Sequence, residues 1–211
     1  MPPQPSAALR EAAAPPGSAR DIVPTLAQQA ALARIARCLS AGERVILLTG
    51  EPGIGKSVAA ATLAAEPPEG FAAVSIGFWW RGTDPVAEFR RALADRAPRG
   101  RALMICDAAD GLDPEALARL ADFARAGADG AGEGAALVIA GGPALADRLA
   151  GAGLTATAVE IGPMTRRESD AFLHARFRAR GLTEARISDT TLAAMHDAAR
   201  GNPRRLKALA E

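Results

Sequence analysis

Apolar positions along this 211-residue chain follow two rhythms, and the rhythm changes once. Up to about residue 162, short unbroken apolar runs alternate with stretches of helical spacing. The runs are Arg44–Thr49, Phe71–Ile76, Arg101–Asp107, Ala136–Ala140 and Thr155–Ile161. Runs this short, with no polar face, suit strands of a parallel sheet covered on both sides. In the last run β-branched residues fall at alternate positions, which also suits a strand. Beyond Pro163 only helical spacing remains.

The stretches between the runs predict helices. Pro24 suits a helix start, and Leu32, Ile35 and Leu39 form an apolar stripe over Thr25–Ser40, closed by Gly42. Val58–Ala65 is built of good helix formers. Asp84-Pro85 and Asp113-Pro114 pair a capping residue with a first-turn proline, opening helices to about Ala97 and over Glu115–Ala126. A short helix is expected from Pro143 to about Leu149. After Pro163, Thr165-Arg166-Arg167-Glu168 is a capping box. Phe172, Leu173, Arg176 and Phe177 give its helix one apolar face up to Gly181. A second helix covers Asp189–Arg200 with Leu192 and Met195 inward, and Gly201-Asn202-Pro203 stops it and starts a last one. Residues 1–20, rich in Pro and Ala, read as a disordered leader. The division expected is 1–20 leader, 21–162 α/β domain and 163–211 helical lid. The Gly-rich acidic loop 127–135 is expected to be exposed.

Between the first strand and the Val58 helix lies Gly50-Glu51-Pro52-Gly53-Ile54-Gly55-Lys56-Ser57. This is the phosphate-binding loop pattern of Gly, four residues, Gly, Lys, Ser. Glycines let the backbone approach a phosphate, and successive N–H groups form an anion cradle. The helix that follows adds its dipole. Lys56 supplies a compact positive charge to the β- and γ-phosphates, and Ser57 a hydroxyl for Mg²⁺. Candidate nucleotide-binding residues are therefore Gly50, Glu51, Pro52, Gly53, Ile54, Gly55, Lys56, Ser57 and Val58. Asp107, closing the third strand, is the carboxylate expected to hold Mg²⁺ beside Ser57.

Composition sharpens this. Of 25 basic residues only Lys56 and Lys207 are lysines, so an arginine-preferring chain has Lys where the motif needs it. A net charge of +1 argues against a strongly electrostatic nucleic-acid or membrane binder, although Arg90-Arg91 and Arg166-Arg167 leave a local patch open. Cys38 and Cys106 lie far apart with no metal spacing, which suits a reducing cytoplasm. No apolar run is long enough for a membrane span, and the N-terminus lacks a secretory pattern. His174 and His196 have no partner at ligand spacing. Phe78-Trp79-Trp80 is either a partner-binding patch or core. Ile22 and Val23 are either base contacts or core.

Together these segments resemble the AAA+ ATPases, and more closely their general secretion pathway A-type branch. Relatives of that branch include cell-envelope assembly and transposition helper ATPases. The resemblance covers roughly residues 22–211. It rests on Leu48–Ser57, Leu103–Leu112, Val138–Leu145, Met164–Glu168 and Gly201-Asn202-Pro203-Arg204-Arg205. It implies an α/β P-loop NTPase fold, a five-stranded parallel sheet of order 5-1-4-3-2 flanked by helices, with a small C-terminal helical lid. It also implies ATP and Mg²⁺ as ligands, and Arg204 as the lid arginine reaching the γ-phosphate.

Three parts of that pattern are missing. The glutamate that usually follows the Mg²⁺ aspartate is Ala108, the polar residue at the end of the fourth strand is Gly142, and Thr155-Ala156-Thr157 lacks the family's Gln-Arg. Loss of a general base costs about 10²–10⁴-fold in rate. Asp110 can substitute only if its loop turns inward, so Asp107 and Asp110 are the catalytic candidates. The expectation is an ATP- and ADP-binding module with weak or regulated hydrolysis, switching a protein partner in a secretion or envelope assembly, with homo-oligomers possible. The alternative is a DNA-associated transposition-helper type.

Overall fold

The computed structural model describes residues 24–77, 84–94, 100–126, 135–181 and 187–211. The leader, Ile22, Val23, the Phe78-Trp79-Trp80 cluster and nearly all of the 127–135 loop lie outside them. Eight helices and five strands are described. The order is α1 (Leu26–Ser40), β1 (Val45–Thr49), α2 (Lys56–Ala65), β2 (Phe71–Ile76), α3 (Pro85–Ala94) and β3 (Arg101–Cys106). A single 3₁₀ turn (Ala109–Gly111) follows. Then come α4 (Pro114–Ala126), β4 (Ala136–Gly141), α5 (Leu145–Gly151), β5 (Thr157–Glu160), α6 (Arg166–Ala179), α7 (Asp189–Ala199) and α8 (Pro203–Leu209).

All five strands are parallel, in the order β2-β3-β4-β1-β5. This is the expected 5-1-4-3-2 order read from the other edge. Because side chains alternate across a strand, the apolar runs feed two cores. Val45, Leu47, Met104, Leu137 and Ile139 face α3, α4 and α5, where Phe89 and Phe123 meet edge to face at 5.6 Å. Ile46, Leu48, Leu103, Ile105 and Val138 face α1 and α2. Cys106 is fully enclosed, and burial pushes its thiol well up, so it packs as a neutral apolar group. A third cluster, Met164, Leu173, Leu192, Ala199, Leu206 and Ala210, joins the three C-terminal helices.

Several boundaries differ from the sequence reading. The α2 helix starts at Lys56, so Lys56 and Ser57 belong to its first turn. The β5 strand is Thr157–Glu160 rather than 155–161, because β1 is short and pairs only Ile46–Thr49 with it. The 3₁₀ turn after β3 has no periodic signature and was not foreseen. Of the α6 face, Leu173 is buried while Phe172 and Phe177 are only partly covered. Parallel register aligns strand ends, so Thr49 lies opposite Gly141 and Glu160. The phosphate-loop motif thus begins where the C-terminal ends of β1, β4 and β5 converge, the usual ligand edge of open α/β sheets.

Candidate nucleotide site

The loop from Gly50 to Gly55 is shaped by where its carbonyls go. Lys56 Nζ donates to Gly50 O (2.8 Å) and Glu51 O (3.1 Å). The Asn202 amide donates to Pro52 O (3.0 Å) and the Arg204 N–H to Gly53 O (3.3 Å). The Gln28 amide donates to Ile54 O (3.2 Å) and, at 3.5 Å, to Gly55 O, which also accepts from Ala59 N at 3.1 Å. Every carbonyl of the loop therefore has a donor. The Ile54 N–H turns back onto Glu51 O (3.2 Å), and with the acceptors bound the loop's other N–H groups can serve an anion, which is the anion-cradle arrangement.

Two residues outside the motif do much of this, and sequence reasoning missed both roles. Gln28 is 3% exposed. Its Oε1 accepts from Thr25 N in the α1 capping box, leaving its NH₂ for the loop. Thr25 and Gln28 carry the local signal of a capping box. Nothing local announces the contact made 26 residues away. Asn202 is 1% exposed; its Oδ1 caps α8 through Arg204 N (3.1 Å) and Arg205 N (3.4 Å) while its NH₂ holds Pro52. Read from sequence, it was only a helix stop and start.

Two loop glycines are required by these contacts. Gly53 (φ +85°) would place a Cβ 2.7 Å from Arg204 Cβ, and Gly55 (φ +102°) 1.9 Å from Gln28 Nε2. Both also sit where L side chains are strained.

Charges converge on Lys56. Burial draws its ammonium below the ordinary lysine value; Asp110 and then Asp107 oppose this, and Arg204 adds to it. The structure thus brings together Lys56, Asp107, Asp110 and Arg204, four of the expected site residues. Asp107 is half-buried at the end of β3, and its Oδ1 accepts from Ala108 N at 2.8 Å. Ser57 is exposed in the first turn of α2. No cluster of three or more His, Cys, Asp or Glu residues fit for a metal occurs among the described residues. One hydroxyl and one carboxylate fit Mg²⁺, which takes few protein ligands and completes its shell with phosphate oxygens and water. His196 Nδ1 lies 2.8 Å from the buried Ser169 hydroxyl, tying α6 to α7.

One turn before Gln28, the start of α1 and the side of α6 enclose a groove of about 840 Å³. Pro24, Leu26, Met164, Phe172 and Ala175 contribute to its apolar wall. At its side Glu168 joins the two helices. Its Oε2 accepts from Thr165 N and the Thr165 hydroxyl, both at 2.7 Å. Burial raises the carboxyl's pKa, but the Thr165 hydrogen bonds and the Ala27 and Leu26 N–H groups outweigh this and hold it below the usual range. Oε1 completes no well-formed hydrogen bond, so we read the approach to α1 as charge against helix dipole.

No protein-family model matches the chain, and no curated protein does. Solved structures do. An Aeropyrum pernix Orc1 protein in complex with DNA aligns with a TM-score of 0.61 at 18% identity over 92% of this chain and 61% of its own. Cdc6p from Pyrobaculum aerophilum gives 0.59 at 22% identity, over 92% and 62%. The Thermotoga maritima RuvB Holliday junction branch migration motor gives 0.56 at 17% identity, over 87% and 58%. The chain spans about three-fifths of each relative's length. At such identities the likeness is one of fold, and it agrees with the site: the chain has the AAA+ P-loop NTPase fold.

Two outcomes test the loop. Gly55→Ala is expected to cost about 1–3 kcal/mol in urea unfolding, from backbone strain alone. Because its Cβ meets the Gln28 amide, Gly55→Ala and Gln28→Ala should be sub-additive; strict additivity would show the contact absent. The lowered Glu168 carboxyl contributes stability that is present above its unfolded value of about 4.5 and lost as pH falls through its lower folded value. Glu168→Gln should therefore make acid unfolding below about pH 4.5 shallower, as followed by circular dichroism, with little change in slope near neutrality.

Proposed function

We propose that this chain is an ATP-binding AAA+ module in which nucleotide state sets the position of the C-terminal helices, which act as a lid toward a protein partner. The observation that supports this most is the coincidence of two features. Each of the six loop carbonyls has a donor, and two of those bonds come from the start of α8. A phosphate entering the cradle is thereby coupled to the helix bearing Arg204, which would reach the γ-phosphate.

Lys56 would leave its carbonyls for the β- and γ-phosphates, a charge-assisted contact. Ser57 and Asp107 would hold Mg²⁺, which when bound neutralises charge on those phosphates. We assign the base to the apolar groove between α1 and α6, because α1 also carries Gln28, whose amide holds the phosphate loop. With Ala108 and Gly142 at two catalytic positions, we infer slow or regulated hydrolysis.

The secretion or envelope assembly, with self-association, is proposed from the resemblance to the general secretion pathway A-type branch, and a cytoplasmic location from the cysteine pattern. No described helix is long and apolar enough to cross a membrane. A DNA-associated role is the second reading, because RuvB is a Holliday junction branch migration motor and the Orc1 structure contains DNA. The net charge of +1 weighs against it.

Calorimetry with Mg-ATP tests the central reading. The wild type should bind, and Lys56→Ala should weaken binding by about ten- to a hundredfold, the worth of about 1.5–3 kcal/mol for a hydrogen bond to a charged group. Equal affinity in both proteins, or none in the wild type, would contradict it. Under the second reading, binding to duplex DNA should fall steeply with salt.

A further inference from the structure

The end of β4 is built without side chains, and a carboxylate from another element fills the space. After Asp107 the chain turns sharply, with Ala108 left-handed (φ 52°), into the 3₁₀ turn Ala109–Gly111. That turn carries Asp110 across to β4. Both of its carboxylate oxygens accept from Gly142 N, at 3.0 and 2.9 Å. A Cβ on Gly141 would come within 3.2 Å of both oxygens and 2.4 Å of Leu145 Cδ2; one on Gly142 would come within 3.4 Å of Oδ1. The glycines therefore make room for Asp110 at close range.

The turn is fixed as well as directed. Arg148 Nη1 donates to Asp110 O at 2.9 Å, and its Nη2 donates to Leu112 O, so one guanidinium from α5 holds both sides of the turn. Asp110 remains exposed, so water reaches its carboxylate. Of the charged groups acting on Lys56, Asp110 is the strongest, ahead of Asp107.

We propose that Asp110, seated on the Gly142 N–H, is the general base for attack of water on the γ-phosphate. This inference rests on the ATP-binding reading above. One group would then stand in for two absences. It takes the proton that the residue after Asp107, here Ala108, cannot take. It also supplies the polar atom that Gly142 cannot place beside the water. A single N–H occupies only part of the carboxylate's acceptor capacity, leaving lone pairs for a water proton. In the step itself, the water oxygen bonds to the γ-phosphorus and its proton passes to Asp110. The bond from that phosphorus to the β–γ bridging oxygen breaks, and the electron pair leaves on ADP. The products are ADP and inorganic phosphate, and the proton on Asp110 returns to solvent.

The test compares the wild type with Asp110→Asn and Asp110→Glu. Asparagine keeps an acceptor for Gly142 N–H and removes the base. It should bind Mg-ATP as the wild type does by calorimetry and unfold in urea alike. Its kcat should fall about 10²–10⁴-fold with KM little changed, and any rise of kcat with pH measured for the wild type should disappear. Glutamate keeps the carboxylate and should retain part of the turnover. Normal ATP binding with turnover unaffected by Asp110→Asn, or with no turnover in the wild type, overturns the inference and leaves nucleotide binding standing. Failure of the wild type to bind ATP removes both. If Asp110→Asn does not fold, Asp110→Glu decides: turnover with an unshifted pH profile overturns the base role, whereas a shifted profile supports it.

Discussion

The structure depends on how a short irregular loop satisfies its own acceptors. A buried or half-buried carbonyl without a donor costs about 1–3 kcal/mol, and the loop between β1 and α2 has six carbonyls in succession, four of them on buried or half-buried residues. Lys56, Asn202, Arg204 and Gln28 take them up, with help from α2. The donors come from three parts of the chain: α1, the loop's own lysine and the start of α8. The loop's shape is therefore a tertiary property. The glycines permit it, and the surrounding helices impose it.

The same bonds explain why the C-terminal helices are tied to the nucleotide edge. Asn202 caps α8 and grips Pro52 with opposite ends of one amide. Glu168 does the corresponding work at the other side, capping α6 and facing the start of α1. Both ties are polar and local, while the apolar cluster of α6, α7 and α8 is separate from the sheet's two cores. A unit with its own core, tied to the phosphate loop by the Asn202 and Arg204 hydrogen bonds, is suited to follow that loop as a body.

Much of this was legible in the sequence, for identifiable reasons. Apolar runs such as Leu103–Cys106 and Leu137–Ala140 have no polar face because both of their faces are covered. The glycine–lysine motif is short and contiguous, so its spacing alone gave the loop and its place before a helix. What escaped was long-range or aperiodic. Asn202 read only as part of a helix stop and start, and Gln28 carried no expected role; both are local caps whose second hydrogen bonds cross the fold. The turn of Asp110 toward β4 depends on the left-handed Ala108 and on Arg148, 38 residues further on. Gly142 read as an absence, and only the position of the Asp110 carboxylate shows what the absence admits.

Backbone hydrogen exchange with and without Mg-ATP tests the account most directly. The cradle and the start of α8 share hydrogen bonds, so residues 50–58 and 201–206 should change protection together, at the same nucleotide concentration. Protection confined to the loop, with 201–206 indifferent to nucleotide, would contradict the coupling on which the account stands.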